Sequence, residues 1–155
     1  MDYILDAYNI IHYIGMEGNS AYEVQRRFIG FLMRHRLFSS GKNRAVVVFD
    51  GFLSESLSCS GNIEIVFSRD ISADEKIERL LKRRVKSFVV SNDRQVKASA
   101  KAFGHVPMPV VEFLSISRRA KEQQTDKDDM SKRLLKKDIE DINSELEKIW
   151  LKKES

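Results

Sequence analysis

"NRAVVVFDG", residues 43–51, is the stretch on which the fold turns. Ala45, Val46, Val47, Val48 and Phe49 run apolar without a break, and the turn pair Asp50–Gly51 closes the run. A strand with one wet face alternates polar and apolar residues. A run that is apolar throughout predicts a strand buried on both faces, the habit of a parallel sheet covered by helices. Three more segments read as strands: "DYILD" (2–6), "IEIVFS" (63–68) and "SFVVSND" (87–93). Between them lie helical patterns. In residues 20–38, Ser20 and Glu23 form a capping box ahead of Val24, Phe28, Phe31 and Leu32. Ser72 and Glu75 do the same for 72–84, and "RQVKASAKAFG" (94–104) ends on a glycine. "HVPMPVV" predicts a short edge strand, because two prolines would spoil a central one. Another helix is expected over 112–122. Strands alternating with helices predict an α/β domain with a mostly parallel sheet.

Residues 123–155 read differently. "KEQQTDKDDMS" is charged and poor in apolar residues, so a linker or helix break is expected there. Beyond it Met130, Leu134, Leu135, Ile139, Ile142, Leu146, Ile149 and Trp150 recur at spacings of three and four, which predicts a long amphipathic helix. The expected organisation is a domain over 1–122, followed by a charged linker and helix over 123–155. That helix has three open uses: folding onto its own domain, binding a protein partner, or pairing with a second copy.

Composition narrows the function. The chain of 155 residues is 42% hydrophobic and 32% charged. No run reaches the ~20 apolar residues of a membrane helix, so no membrane role is expected. Asp2 and Asp6 interrupt the opening apolar run, which argues against a secretory signal there. Cys59 is the single cysteine, so neither an internal disulfide nor a zinc knuckle is available. A cytoplasmic protein is expected. The net charge of +4 is gathered in basic clusters, among them Arg26–Arg27 and Lys82–Arg83–Arg84. Such clusters on a small basic domain suggest a polyanion, and RNA backbone is the expected ligand of these five residues.

The acids carry the chemistry. Asp6, Asp50 and Asp93 each end a predicted strand, and a parallel sheet gathers its strand ends on one edge, where ligands bind. Asp74 and Glu75 begin the helix after the third strand, at that same edge. Asn9 is expected in the loop at the mouth. Each acid also fits a local role: Asp93 and Glu75 as capping residues, Asp74 as helix-dipole decoration, Asp50 as turn chemistry. All of them being decorative together is a poor explanation. Crowded carboxylates raise one another's pKa and call for a cation. Oxygen donors without His or Cys suit a hard ion, Mg²⁺ or Mn²⁺. Such a metal in a basic surround fits phosphodiester cleavage.

"DAYNIIH" (6–12), "VVVFDG" (46–51), "SRDISADEKIERLL" (68–81) and "VVSNDRQV" (89–96) resemble, in order, the motifs of the YacP-like branch of NYN domains, within the PIN-like nuclease superfamily. The resemblance runs over residues 2–114. It implies a PIN-like three-layer α/β/α sandwich and metal-dependent endoribonuclease activity. Asp6 matches the first acidic ligand, Asn9 the polar residue after it, Asp50 the second strand-end acid, Asp74 the acid of the "AD" motif with Glu75 beside it, and Asp93 the acid of the "SD" motif. The chain departs from the pattern at Ala7, where glycine is usual, and at Asn92, where Ser or Thr is commoner. Ala7 would matter only if the backbone needed a positive φ.

Other α/β enzymes fit less well. A phosphoacceptor receiver needs adjacent acids after its first strand and a lysine after its fifth. Dinucleotide and P-loop sites need glycine-rich loops that this chain lacks. A haloacid-dehalogenase-type phosphatase needs D-x-D, and Asp6-Ala7-Tyr8 does not supply it. The remaining alternative is a catalytically inactive RNA-binding module, in which the acids are structural.

Overall fold

The computed structural model describes residues 1–39, 41–52 and 61–154. Cys59 and the polar loop read around it lie outside the described residues, as do the side chains of Leu146, Ile149 and Trp150. The elements follow in the order β1 (Asp2–Asp6), α1 (Ala7–Ile14), α2 (Ala21–Arg34), β2 (Arg44–Phe49), β3 (Ile63–Phe67), α3 (Ala73–Leu81), β4 (Phe88–Val90), α4 (Arg94–Ala102), β5 (Val106–Met108) and α5 (Val110–Glu154). No described helix is long and apolar enough to cross a membrane.

The five strands form one parallel sheet in the order β3-β2-β1-β4-β5. The strand order reverses between β1 and β4, the place where open α/β sheets bind ligands beyond the carboxyl ends. β5 lies on the edge, and Pro107 is tolerated there because one side of the strand needs no ladder partner.

Both faces of the sheet are covered, as the unbroken run in β2 predicts. Odd-numbered Tyr3, Leu5, Ala45, Val47 and Phe49 pack with Ile10, Phe28, Leu32 and Phe113 from α1, α2 and the start of α5. Even-numbered Ile4, Val46 and Val48 pack with Ile77, Leu81, Val96 and Ala100 from α3 and α4. The result is a three-layer α/β/α sandwich. The larger core rests on Phe28, Phe49 and Phe113, all fully buried. Truncating any of them to alanine would cost about 3–5 kcal/mol.

The helix starts are those read from sequence. Ser20 and Ser72 cap α2 and α3, each accepting the N–H of the residue three positions on, Glu23 or Glu75, at 3.1 Å. Two expectations are corrected. The segment after Asp6 is not a loop: α1 starts at Ala7, so Asn9 sits in a helix. Ala7, Ile10, Ile11 and Ile14 carry the spacing of a buried helix face, and Gly15, at φ +69°, ends it. Ala7 is therefore helical and needs no positive φ. The expected break at 121–131 is continuous helix within α5. Lys, Glu and Gln are good helix formers, so a stretch without apolar residues forms a solvated helix rather than a break.

The chain divides into two compact units, Met1–Ala120 and Lys121–Ser155. Within the second, Met130, Leu134, Leu135, Ile139 and Ile142 are exposed.

Candidate active site

Strand alternation selects which side chains share the site. In β1 and β2 the even positions face α3 and α4, so Asp6 and Asp50 continue toward that layer. In β4, Val89 faces the same layer, and Ser91 follows two residues later with the same parity. Leu5 is in register with Val90, so Asp6 comes level with Ser91 across the switch point.

Asp6 and Ser91 meet directly. The Ser91 hydroxyl donates to Asp6 Oδ2 at 2.9 Å and accepts the Asp93 N–H at 3.0 Å. Both residues are buried, Asp6 with 6% of its surface exposed and Ser91 with none. Asp93 caps α4: its Oδ1 accepts the N–H groups of Gln95 and Val96 at 2.8 and 3.1 Å. Burial pushes the Asp6 carboxyl from its ordinary 3.8 up to about 6, and the charges of Asp74 and Asp93 add to the rise. The Ser91 hydrogen bond and the Asn9 backbone act in the opposite direction, favouring the carboxylate. Asp74 is also raised, first by burial and then by Asp93 and Asp50. Asp6 and Asp74 therefore feel the neighbouring carboxylates. Among the described residues, however, no three His, Cys, Asp or Glu side chains are grouped so as to hold a metal ion.

Asp50 is fastened to the end of β3. The Ser68 hydroxyl donates to Asp50 Oδ1 at 3.0 Å and accepts the Gly51 N–H at 2.9 Å. The Arg69 N–H then donates to Gly51 O at 2.8 Å, prolonging the β2–β3 pairing beyond both strands. Asp74 and Glu75 stand in the first turn of α3. Glu75 is exposed and pairs with Arg79 at 3.0 Å, so it is less available than Asp74. A cavity of about 290 Å³ opens between α3 and α4, lined by Asp74, Glu75, Glu78, Gln95 and Ser99.

Asn9 reaches the site from α1. Its Oδ1 accepts the Asn92 N–H at 2.8 Å, and Asn92 Oδ1 in turn accepts the Val110 N–H at 3.0 Å. These two amides tie α1, the β4–α4 turn and the start of α5 together.

The basic residues named from sequence lie on α2 and at the end of α3. Arg27 pairs with Glu23 at 2.8 Å, and Arg26 is exposed beside it on α2. Lys82 pairs with Glu78 at 3.2 Å, and Lys82 and Arg83 follow the end of α3. Arg84 pairs with Glu64 at 3.2 Å and lines a separate cavity of about 500 Å³ with Asp2, Arg44 and Asn62. That cavity lies at the strands' amino ends, on the sheet edge opposite the aspartates. Ser91, Ser68 and Arg69 were not singled out from sequence. Ser91 and Ser68 had a readable signal, a small hydroxyl residue directly after an apolar strand.

No curated protein matches the chain. The structure of Rae1 (YacP) from Bacillus subtilis is similar, at 22% identity and a TM-score of 0.62, with 88% of this chain and 91% of that chain covered. A mutant form of the same protein gives 21% identity and a TM-score of 0.62, covering 79% of this chain and 77% of that one. At such identity the likeness speaks for the fold. The family model described as "YacP-like NYN domain" matches residues 3–153. The chain therefore belongs to the YacP-like NYN domain family.

Proposed function

We propose that this protein is a metal-dependent endoribonuclease that hydrolyses RNA phosphodiester bonds in the cytoplasm. The observation that carries the reading is Asp6. It sits at the switch point, held by Ser91, and its carboxyl is pushed up to about 6 by burial first and then by Asp74 and Asp93. A purely structural aspartate would be expected to sit beside a cation or to be neutralised by a neighbour; this one faces further carboxylates.

The donor chemistry fits a hard divalent ion, Mg²⁺ or Mn²⁺. It is all oxygen, and an ion would relieve the repulsion that adds to the effect of burial on Asp6 and Asp74. Asp6, Asp50, Asp74 and Asp93 would hold it by drawing closer together around it than they stand here, with Glu75 at the margin. The ion would supply a water of lowered pKa and charge stabilisation at the phosphoryl oxygens. The chain's own residues do the positioning. Ser91 orients Asp6, Ser68 orients Asp50, and Asn9 fixes the turn that presents Asp93 while its amide nitrogen remains to meet a phosphate oxygen. Arg26, Arg27, Lys82, Arg83 and Arg84 contribute a positive field that draws in the polyanion.

The test is incubation of labelled RNA with Mg²⁺ or Mn²⁺, then with chelator. Internal cleavage that chelator stops supports the reading. Binding without cleavage in any metal leaves a binding module and overturns it.

A further inference from the structure

Three of the five sequence-named basic side chains form ion pairs with neighbouring carboxylates: Arg27 with Glu23, Lys82 with Glu78, Arg84 with Glu64. At the aspartate edge, two exposed arginines have no side-chain partner among the described residues. These are Arg69, just beyond β3, and Arg94, which opens α4 directly after Asp93. They stand at opposite ends of the acidic row, one beside the Asp50 turn and the other beside Asp93.

Arg69 is held in place. Its backbone has φ +61°, left-handed territory that a long L side chain enters only against steric resistance. The N–H bond to Gly51 O and the preceding Ser68–Asp50 bond keep it there. Glycine or asparagine would serve the turn better. A guanidinium retained on a strained, anchored backbone, with no carboxylate to pair with among the described residues, is available to an external anion.

We propose that Arg69 and Arg94 are the phosphate clamp of this site, gripping the RNA backbone on either side of the aspartates and positioning the scissile phosphate between them. Arginine suits the task because its planar fork binds two phosphate oxygens at once. The clamp also answers the electrostatic problem of bringing a phosphate to four carboxylates. The proposal rests on the nuclease reading above and names the residues that hold its substrate.

The experiment measures binding of a short fluorescent single-stranded RNA in EDTA, between about 50 and 200 mM salt. The variants are Arg69→Gly, Arg69→Lys and Arg94→Gln. Arg69→Gly removes the charge and relaxes the backbone together, so its melting temperature should hold or rise. Its affinity should still fall roughly tenfold at 0.1 M salt, and the salt slope should fall by about one. Arg94→Gln should behave alike, and Arg69→Lys should keep most of the slope. Unchanged affinity and slope in Arg69→Gly overturns the clamp alone. A loss of affinity with an unchanged slope also overturns it, because the residue would then be acting through structure. RNA that does not bind the parent protein overturns the nuclease reading and the clamp with it.

Discussion

The Ser91 hydroxyl donates a 2.9 Å hydrogen bond to Asp6 Oδ2 across 85 positions of sequence. It joins the ends of β1 and β4 at the point where the strand order reverses, and it passes the connection on to the Asp93 N–H. One buried hydroxyl thus holds the carboxylate of one acid and the backbone of another, one deep in the sheet edge and one capping a helix.

Asp6→Asn should abolish cleavage and leave the fold intact, since an amide oxygen can still accept from Ser91. It should also stabilise the metal-free protein by about 1–2 kcal/mol at neutral pH, because it removes a buried charge facing other carboxylates. Cleavage assays and thermal melts of both proteins check this. Normal cleavage by the variant would reduce Asp6 to strand-end decoration.

That gain should depend on pH. The folded-state pKa of Asp6 lies at about 6, above its ordinary 3.8, so folding favours the protonated form. The stabilisation from that proton is complete below 3.8 and is lost as pH rises through about 6. At 1.36 kcal/mol per unit the upper bound is roughly 3 kcal/mol. The melting advantage of Asp6→Asn over the parent should grow from about pH 4 to pH 7 and then level off. A difference that stays flat across that range sinks the assignment.

Divalent metal should reverse the penalty. With Mn²⁺ at about a hundredfold over its Kd, binding adds ~2.7 kcal/mol, or roughly 5–10 °C in melting temperature for a chain of this size. Asp6→Asn should show a much smaller shift. Equal shifts in both proteins would place the ion elsewhere.

Ser91→Ala should raise the Asp6 pKa further, because the hydroxyl favours the ionised carboxylate. It also strips the Asp93 N–H of its acceptor, at a cost of about 1–3 kcal/mol. Carboxyl-carbon NMR titration reads the first effect and urea unfolding the second. An Asp6 titration that does not move would show that Ser91 matters to packing alone.

Much of this protein was legible before any coordinates. The unbroken apolar run in 45–49 required burial on both faces, hence a parallel sheet between helices. Parallel strands then had to deliver Asp6, Asp50 and Asp93 to one edge. Ser20 and Ser72 marked helix starts because capping is a local interaction, settled within four residues of chain. Helix α1 was legible too, in the spacing of Ala7, Ile10, Ile11 and Ile14, although Asn9 was expected in a loop. What only the tertiary structure decided are the relations between distant elements. Ser91 meets Asp6 because β1 and β4 are in register, and Asp6 titrates high because the fold buries it and, in addition, brings Asp74 and Asp93 near it. Which arginines are free was equally hidden. Lys82 and Arg27 find acids one helical turn away, Arg84 finds Glu64 on another element, and Arg69 and Arg94 find none among the described residues. Periodicity is a property of neighbours along the chain, so sequence carries it; burial and charge pairing depend on which elements meet, and those exist only once the chain has folded.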